Sequence, residues 1–190
     1  MTSTALQLRQ DTNANIAAST GLVQGEIAFD VTRNAIVVGS SGGAGGMHWV
    51  TPFTGTWTPT IFGASSAGSQ TYSAQVGTYV KIGVMVFAQC RMTLTSNSGS
   101  SGAATIGGLP FAPTTAASSY WPLGIGFIDG VAHATSYNQF SGVVSISTAK
   151  QALLLENGSN IVHASVQMNN VSSAADMGLT FIYQAASDST

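Results

Sequence analysis

Apolar residues in this chain come in short bursts, not in helical stripes. The bursts are rich in Val, Ile, Phe and Tyr and stop at Gly, Ser, Asn or Pro, the pattern of strands separated by turns. Alternation is plainest over Val84–Thr95. There Val84, Val86, Ala88, Cys90, Met92 and Leu94 share one face, and Met85, Phe87, Gln89, Arg91, Thr93 and Thr95 share the other. Apart from Met85 and Phe87 the second face is polar, so a half-buried strand is predicted, with an apolar patch near its start that is free to meet a neighbour. The best helical stretch, Thr148–Glu156, is short and runs into Asn157-Gly158. That pair reads better as a hairpin turn between Gln151–Glu156 and the apolar run from Asn160 to Met168. The expected fold class is all β.

The same pattern divides the chain in two. Residues 1–50 hold a predicted hairpin, Glu26–Asp30 and Ala35–Gly39, turning at Val31–Asn34. A glycine-serine run, Gly39–Gly46, and a short hydrophobic tag, Met47–Val50, follow. The run fits a flexible linker and equally fits packed backbone where only glycine has room. Beyond it, strands are predicted at Trp57–Phe62, Gln70–Gln75, Thr78–Ile82, Val84–Thr95, Ala103–Gly107, Trp121–Ile128, His133–Phe140, Val143–Ile146 with Gln151–Glu156, Ile161–Asn169 and Leu179–Gln184. Their spacing is that of a sandwich or barrel. The expectation is an N-terminal β-hairpin segment, 1–50, carrying a jelly-roll-like or sandwich knob, 55–190.

Composition changes this picture in one respect. Only five Lys and Arg and seven Asp and Glu occur in 190 residues, 6% charged, against about 25% in an ordinary domain. A partner-sized patch can therefore be buried almost anywhere without desolvating a charge, which favours a subunit of an assembly. A net charge of −2 with dispersed cations offers no basic face for nucleic acid. With 44% hydrophobic residues the chain is too apolar to be disordered. No apolar run reaches the ~18 residues of a membrane span, and the first residues lack the pattern of a secretory signal. Cys90 is the single cysteine and is expected as a packing residue in a strand of a protein made in a reducing cytoplasm.

Candidate chemistry is sparse. Asp129, Glu156 and Asp176 lie far apart in sequence; Asp129-Gly130 and Asp176 read as turn residues, although folding could bring two carboxylates to the ~5–10 Å that glycoside hydrolysis uses. His48, His133 and His163 have no metal-ligand spacing and are expected on polar strands or at the surface. The segment Gly63–Gly68 (GASSAG) misplaces its serines for a nucleophile elbow, and Gly39–Gly46 lacks the ending of a phosphate loop. Trp49, Trp57 and Trp121 are default core or interface residues with the option of stacking on sugar. No catalytic residue, cofactor or metal site is predicted.

Two segments carry a resemblance. Gln7, Arg9, Asp11, Gly25, Glu26, Asp30 and Trp49, with a hairpin and a glycine run between, resemble the N-terminal module of phage fibre and virion appendage proteins. Gln10 stands where that pattern has a second Arg. The resemblance implies attachment to the particle. The second segment comprises Trp57 and Pro59 in GTWTPT, Tyr79, Lys81 and Gly83 in GTYVKIG, and Leu109, Pro110 and Phe111 in GGLPF. It looks like a β domain recurrent in phage tail fibres, tailspike tips and capsid decoration proteins. In physical terms, Pro59 suits an edge strand, Gly83 a bend or bulge in a long strand, and Phe111 a core plug at a strand end. The resemblance implies a non-enzymatic, homotrimeric protein of the virion surface, made in the bacterial cytoplasm. Its partners would be itself and either the major capsid protein or a tail baseplate or adaptor protein, with a host surface glycan as a further candidate and neither nucleic acid nor membrane insertion. The lack of a shaft favours capsid decoration or cementing over a receptor-binding fibre tip, and places a polysaccharide-degrading enzyme third.

Overall fold

The computed structural model describes residues 9–11, 25–31, 34–39, 47–49, 52–114, 120–144 and 150–186. Among these the chain is all β, with one 3-10 turn at Met168–Asn170. Two compact units make it up: Met1–Thr54 with Lys81–Val84 and Ser187–Thr190, and Gly55–Val80 with Met85–Ala186.

The first unit holds a four-stranded sheet in chain order: β1 (Arg9–Asp11), β2 (Ile27–Asp30), β3 (Ala35–Gly39) and β4 (Met47–Trp49). The pair β2–β3 is the antiparallel hairpin expected from the alternation, with Ile27 opposite Val38 and Asp30 opposite Ala35. Asn34 takes φ 52 at its turn, a conformation Asn tolerates better than most residues. Ahead of the hairpin, β1 pairs parallel to β2. Ala28 and Val37 are fully buried. Of the glycine-serine run only Gly39 lies within the described residues.

The second unit is one long curled sheet. Its strands are β5 (Phe53–Trp57), β6 (Thr60–Gly63), β7 (Ser69–Ile82), β8 (Met85–Ser98), β9 (Ala104–Gly107), β10 (Trp121–Val131), β11 (Gln139–Val144), β12 (Gln151–Asn157), β13 (Ala164–Ser165) and β14 (Val171–Gln184). They follow the order β5-β7-β8-β14-β10-β11-β12-β9-β6, with β13 beside β12. Two corners make the curl. Trp121 and Pro122 of β10 pair with β11, whereas Leu123–Val131 pair with β14, so β10 passes from one half of the sheet to the other. At the opposite end β5 and β6 are neighbours in sequence but terminate the sheet on different halves. Thr58-Pro59 forms that corner, and Pro59 suits it because it has no N–H to donate to a ladder.

Inward alternation fills the core. Val86, Ala88, Cys90, Met92 and Leu94 of β8 and Met177, Leu179, Phe181 and Tyr183 of β14 are all buried, as are Ile61, Ile106, Ala152 and Leu154 from the other half. Each large aliphatic or aromatic side chain buried this way contributes about 1.5–3 kcal/mol. Two side chains seal the corner where the ladder stops. The Ile61 N–H donates to Tyr72 Oη at 3.0 Å, and Gln75 Nε2 donates to the Pro59 carbonyl at 2.9 Å.

Several expected boundaries change for physical reasons. Trp57–Phe62 is not one strand, because Pro59 breaks it. Gln70–Gln75 and Thr78–Ile82 are one strand, β7, since the intervening Val76-Gly77 continues the extended backbone. Gly83 is not a bulge. With φ 55 it opens the two-residue turn Gly83-Val84 between β7 and β8, the glycine-first chemistry of a tight hairpin. His133–Asn138 is a loop, and only Gln139 and Phe140 join β11. Ile161–Asn169 contributes only the two-residue β13 and a 3-10 turn. The β12–β13 hairpin exists, but its positive φ falls at Asn160, not at Asn157-Gly158, so the loop is wider than a two-residue turn.

Candidate functional site

The outward face of β7, β8, β14 and β10 is where the chemistry-bearing side chains of the second unit meet. Odd-numbered residues of β8 and even-numbered residues of β14 point outward, opposite the buried set. Ladder register places Phe87 opposite Ile182, Gln89 opposite Thr180 and Arg91 opposite Gly178. On the other side, Phe127 lies opposite Gly178 and Asp129 opposite Asp176. A register shift between Ile125 and Phe127 turns Phe127 outward, the usual effect of a bulge on side-chain aim. A groove of about 360 Å³ results, lined by Val76, Thr78, Gln89, Arg91, Phe127 and Thr180 over the bare backbone of Gly126 and Gly178. A Cβ on Gly178 would collide with the Phe127 ring, so the groove and the ring's position both depend on that glycine.

Several polar groups on this face are already paired. Arg91 grips Asp176 through two bonds, Nη2–Oδ2 at 2.7 Å and Nε–Oδ1 at 3.2 Å. Thr93 Oγ1 donates to the same carboxylate at 2.9 Å. The Arg91 bond, with Thr93 assisting, holds the Asp176 carboxyl below the usual carboxylate range, and the same pairing raises Arg91. Gln89 Nε2 donates to Thr78 Oγ1 at 3.2 Å. The aspartates expected in turns are therefore both in strands, and folding does bring Asp129 and Asp176 face to face. The bonds from Arg91 and Thr93 favour the ionised form of Asp176, whereas a general acid acts from the protonated form.

The knob motif residues sit elsewhere, at the corner and the core. Trp57 is buried; its Nε1–H donates to the Gln89 carbonyl at 3.2 Å, and its ring meets Phe181 edge-on at 5.7 Å. Pro59 accepts from Gln75. Tyr79 packs edge-on against Phe111 at 5.1 Å. Tyr183 brackets Phe111: it receives the Phe111 N–H at 3.2 Å and donates to the Phe111 carbonyl at 3.0 Å. Burial pushes the Tyr183 hydroxyl pKa up strongly, so it stays a protonated donor. Leu109 is buried and Pro110 accepts a bond from Lys150 Nζ at 3.1 Å. Lys81 is fully buried, and Gly83 is the hairpin turn already described. Trp57, Pro59, Tyr79, Leu109, Pro110 and Phe111 build the knob, whereas Lys81 and Gly83 fall in the first unit.

In the N-terminal unit, Arg9 pairs with Ala28 and Asp11 with Asp30 across β1–β2. Gly25, at φ 83, donates its N–H to the Gly39 carbonyl at 2.9 Å. Glu26 is half-buried, Asp30 is fully buried, and Trp49 stands opposite Val37 in β4. Gln7 lies outside the described residues. Arg9, Asp11, Asp30 and Trp49 thus lie on one small sheet, with Gly25 and Glu26 just ahead of β2.

A second polar cluster closes the β10–β11 loop. Glu156 is 1% exposed and accepts the Ala134 N–H at 2.9 Å. His133 Nδ1 lies 3.6 Å from the same carboxylate, and its ring stacks on Phe140 at 3.8 Å. Ser136 adopts φ 77 in this loop. The arrangement latches the loop to β12. The imidazole of His163 is exposed, and the side chain of His48 lies outside the described residues. Among the described residues no three His, Cys, Asp or Glu converge to hold a metal. Cys90 is buried, and burial pushes its thiol up to about 12.

Comparison with known proteins bears on both units. Residues 6–40 match the family described as the major tropism determinant N-terminal domain. Among solved structures, the crystal structure of the Dettilon tailspike protein (gp208) is similar, with a TM-score of 0.58 at 17% identity over 70% of this chain. The likeness covers 24% of the tailspike chain, so this protein spans about a quarter of that protein's length, and at such identity what is shared is the fold. No curated protein matches by sequence.

Proposed function

We propose that this chain is a structural subunit of the surface of a phage particle, attached through its N-terminal sheet and presenting the β knob outward, with no catalytic activity. One observation carries the reading. The first residues match a module described as belonging to a tropism determinant, and most of the chain is similar in fold to a tailspike. Both likenesses are to host-facing proteins, so a tail appendage that contributes to host recognition comes first. The attaching residues in this reading are Gln7, Arg9, Asp11, Gly25, Glu26, Asp30 and Trp49, the partner is a tail baseplate or adaptor protein, and the working form is a homotrimer.

Capsid decoration is the second reading, with the major capsid protein as partner. It rests on the low charge, 6% of residues, which suits broad attachment to a shell by apolar and backbone contact that high salt does not disrupt.

Particles assembled without the protein separate the readings. A tail appendage predicts particles that fail to adsorb to cells yet keep their heat resistance. Decoration predicts particles that adsorb but lose DNA at lower temperature. Particles unchanged in both respects would overturn the proposal. Removing residues 1–50 should leave a folded knob that no longer associates with particles.

A further inference from the structure

We infer that the outward face of β7, β8, β14 and β10 is the surface through which one copy of this chain binds another. This gives a location to the self-association assumed in the proposed function and rests on that part of it. Four large apolar side chains stand on the face and stay exposed: Val76 at 61%, Phe87 at 42%, Phe127 at 41% and Ile182 at 47%. Phe87 and Ile182 are direct cross-strand partners, so they form one continuous apolar step and not two scattered residues. Beside them lies the glycine-floored groove, a concavity flanked by the projecting Phe127 ring. A knob and a hole on one face are what a contact between copies requires.

Area and charge both point to a protein occupant. Three of the strands run 14 residues and the fourth 11. At about 3.3 Å per residue and about 4.8 Å between strands, the face measures on the order of 850 Å², close to the ~800 Å² that each partner gives to a standard interface. Its centre is electrically neutral, because Arg91 and Asp176 neutralise each other within the chain. The centre of the face can then lie against another copy without like-charge opposition; Asp129, on β10, lies at the rim. A sugar would need free, convergent hydrogen-bonding groups. Here the guanidinium, the carboxylate of Asp176 and the Gln89 amide are already engaged with neighbours on the same face.

The test uses the full chain. Light scattering at micromolar concentration should give about three times 19.3 kDa for the unaltered protein. Ile182→Asp and Phe87→Asp should reduce the mass to a single copy while the circular dichroism and the cooperativity of unfolding are retained. Val162→Asp, which alters a residue 79% exposed but off this face, should leave the mass unchanged. A second approach avoids disruptive variants. Thr180→Cys places a thiol in the groove, and Cys90 is buried and unreactive, so a short bis-maleimide should yield covalent dimers. A monomeric native chain, or oligomers that survive both aspartate variants and give no Thr180→Cys dimers, would overturn the inference. The first outcome would leave the face to a host molecule. These readouts are masses in solution, so they fail or succeed separately from the adsorption and heat assays on particles.

Discussion

The two faces of β8 and β14 are made by the same strands and differ in what covers them. Inward, Met92, Leu94, Met177, Phe181 and Tyr183 are buried by the rest of the knob. Outward, Phe87 and Ile182 stand opposite one another and nearly half exposed. A one-sided sheet needs only polar residues on its wet face, and the Thr71–Ser73 and Thr93–Thr95 region follows that rule. Toward the other end of the strands, from Phe87 and Phe181-Ile182-Tyr183, both faces become apolar. Among the described residues, folding of one chain covers the first face and leaves the apolar end of the second exposed.

The largest effect should come from the inward face. Phe181→Ala removes the edge-on contact with Trp57 and leaves a cavity, at a cost of about 3–5 kcal/mol. Ile182→Ala, one residue away, should change stability by no more than about 0.5 kcal/mol when urea unfolding is followed at concentrations too low for association to contribute. Equal costs would dissolve the distinction between the faces. Next, Tyr183→Phe strips Phe111 of both backbone bonds in a fully buried site, and about 1–3 kcal/mol should be lost.

Much of this architecture was legible beforehand, and the reason is local. The β8 alternation and the Glu26–Asp30 and Ala35–Gly39 hairpin follow from period-two patterning, whereas Pro59 and Gly83 stand out as special positions without showing that the one ends β5 and the other turns β7 into β8. The outward site was legible only in the Met85 and Phe87 patch on the polar face of β8. Phe87, Phe127, Gly178, Thr180 and Ile182 become neighbours only through strand register, and Phe127 faces outward only because of the bulge before it. The Glu156–His133 latch was hidden for the same reason: Phe140 and Glu156 meet across β11–β12, a pairing with no short-range signal. The both-faced apolar run Phe181-Ile182-Tyr183 is a second hint in the sequence.

Smaller effects sharpen the comparison further. Tyr72→Phe removes the hydroxyl that bonds the Ile61 backbone where the ladder ends, and about 0.5–1.5 kcal/mol should be lost, read as an earlier urea midpoint. Asp176→Asn should matter least for stability, since the pair with Arg91 is largely exposed and such pairs contribute little. Its signature is pH dependence. The folded carboxyl titrates below its unfolded value, so its contribution is complete above about pH 4. That contribution disappears as the pH falls through the depressed folded value. The Asn variant should therefore lose slightly less stability than the native chain on acidification; an identical acid profile would show that the Arg91 grip is not maintained in solution.

The central claim is that this chain belongs on the outside of a phage particle. Gold-labelled antibody against the 55–190 knob, applied to intact particles and viewed by electron microscopy, tests it most directly. The account predicts label at the tail apparatus at defined sites, and label spread over the head would move the protein to the decoration reading. Intact particles that bind no antibody, from preparations in which the protein is abundant in infected cells, would contradict it.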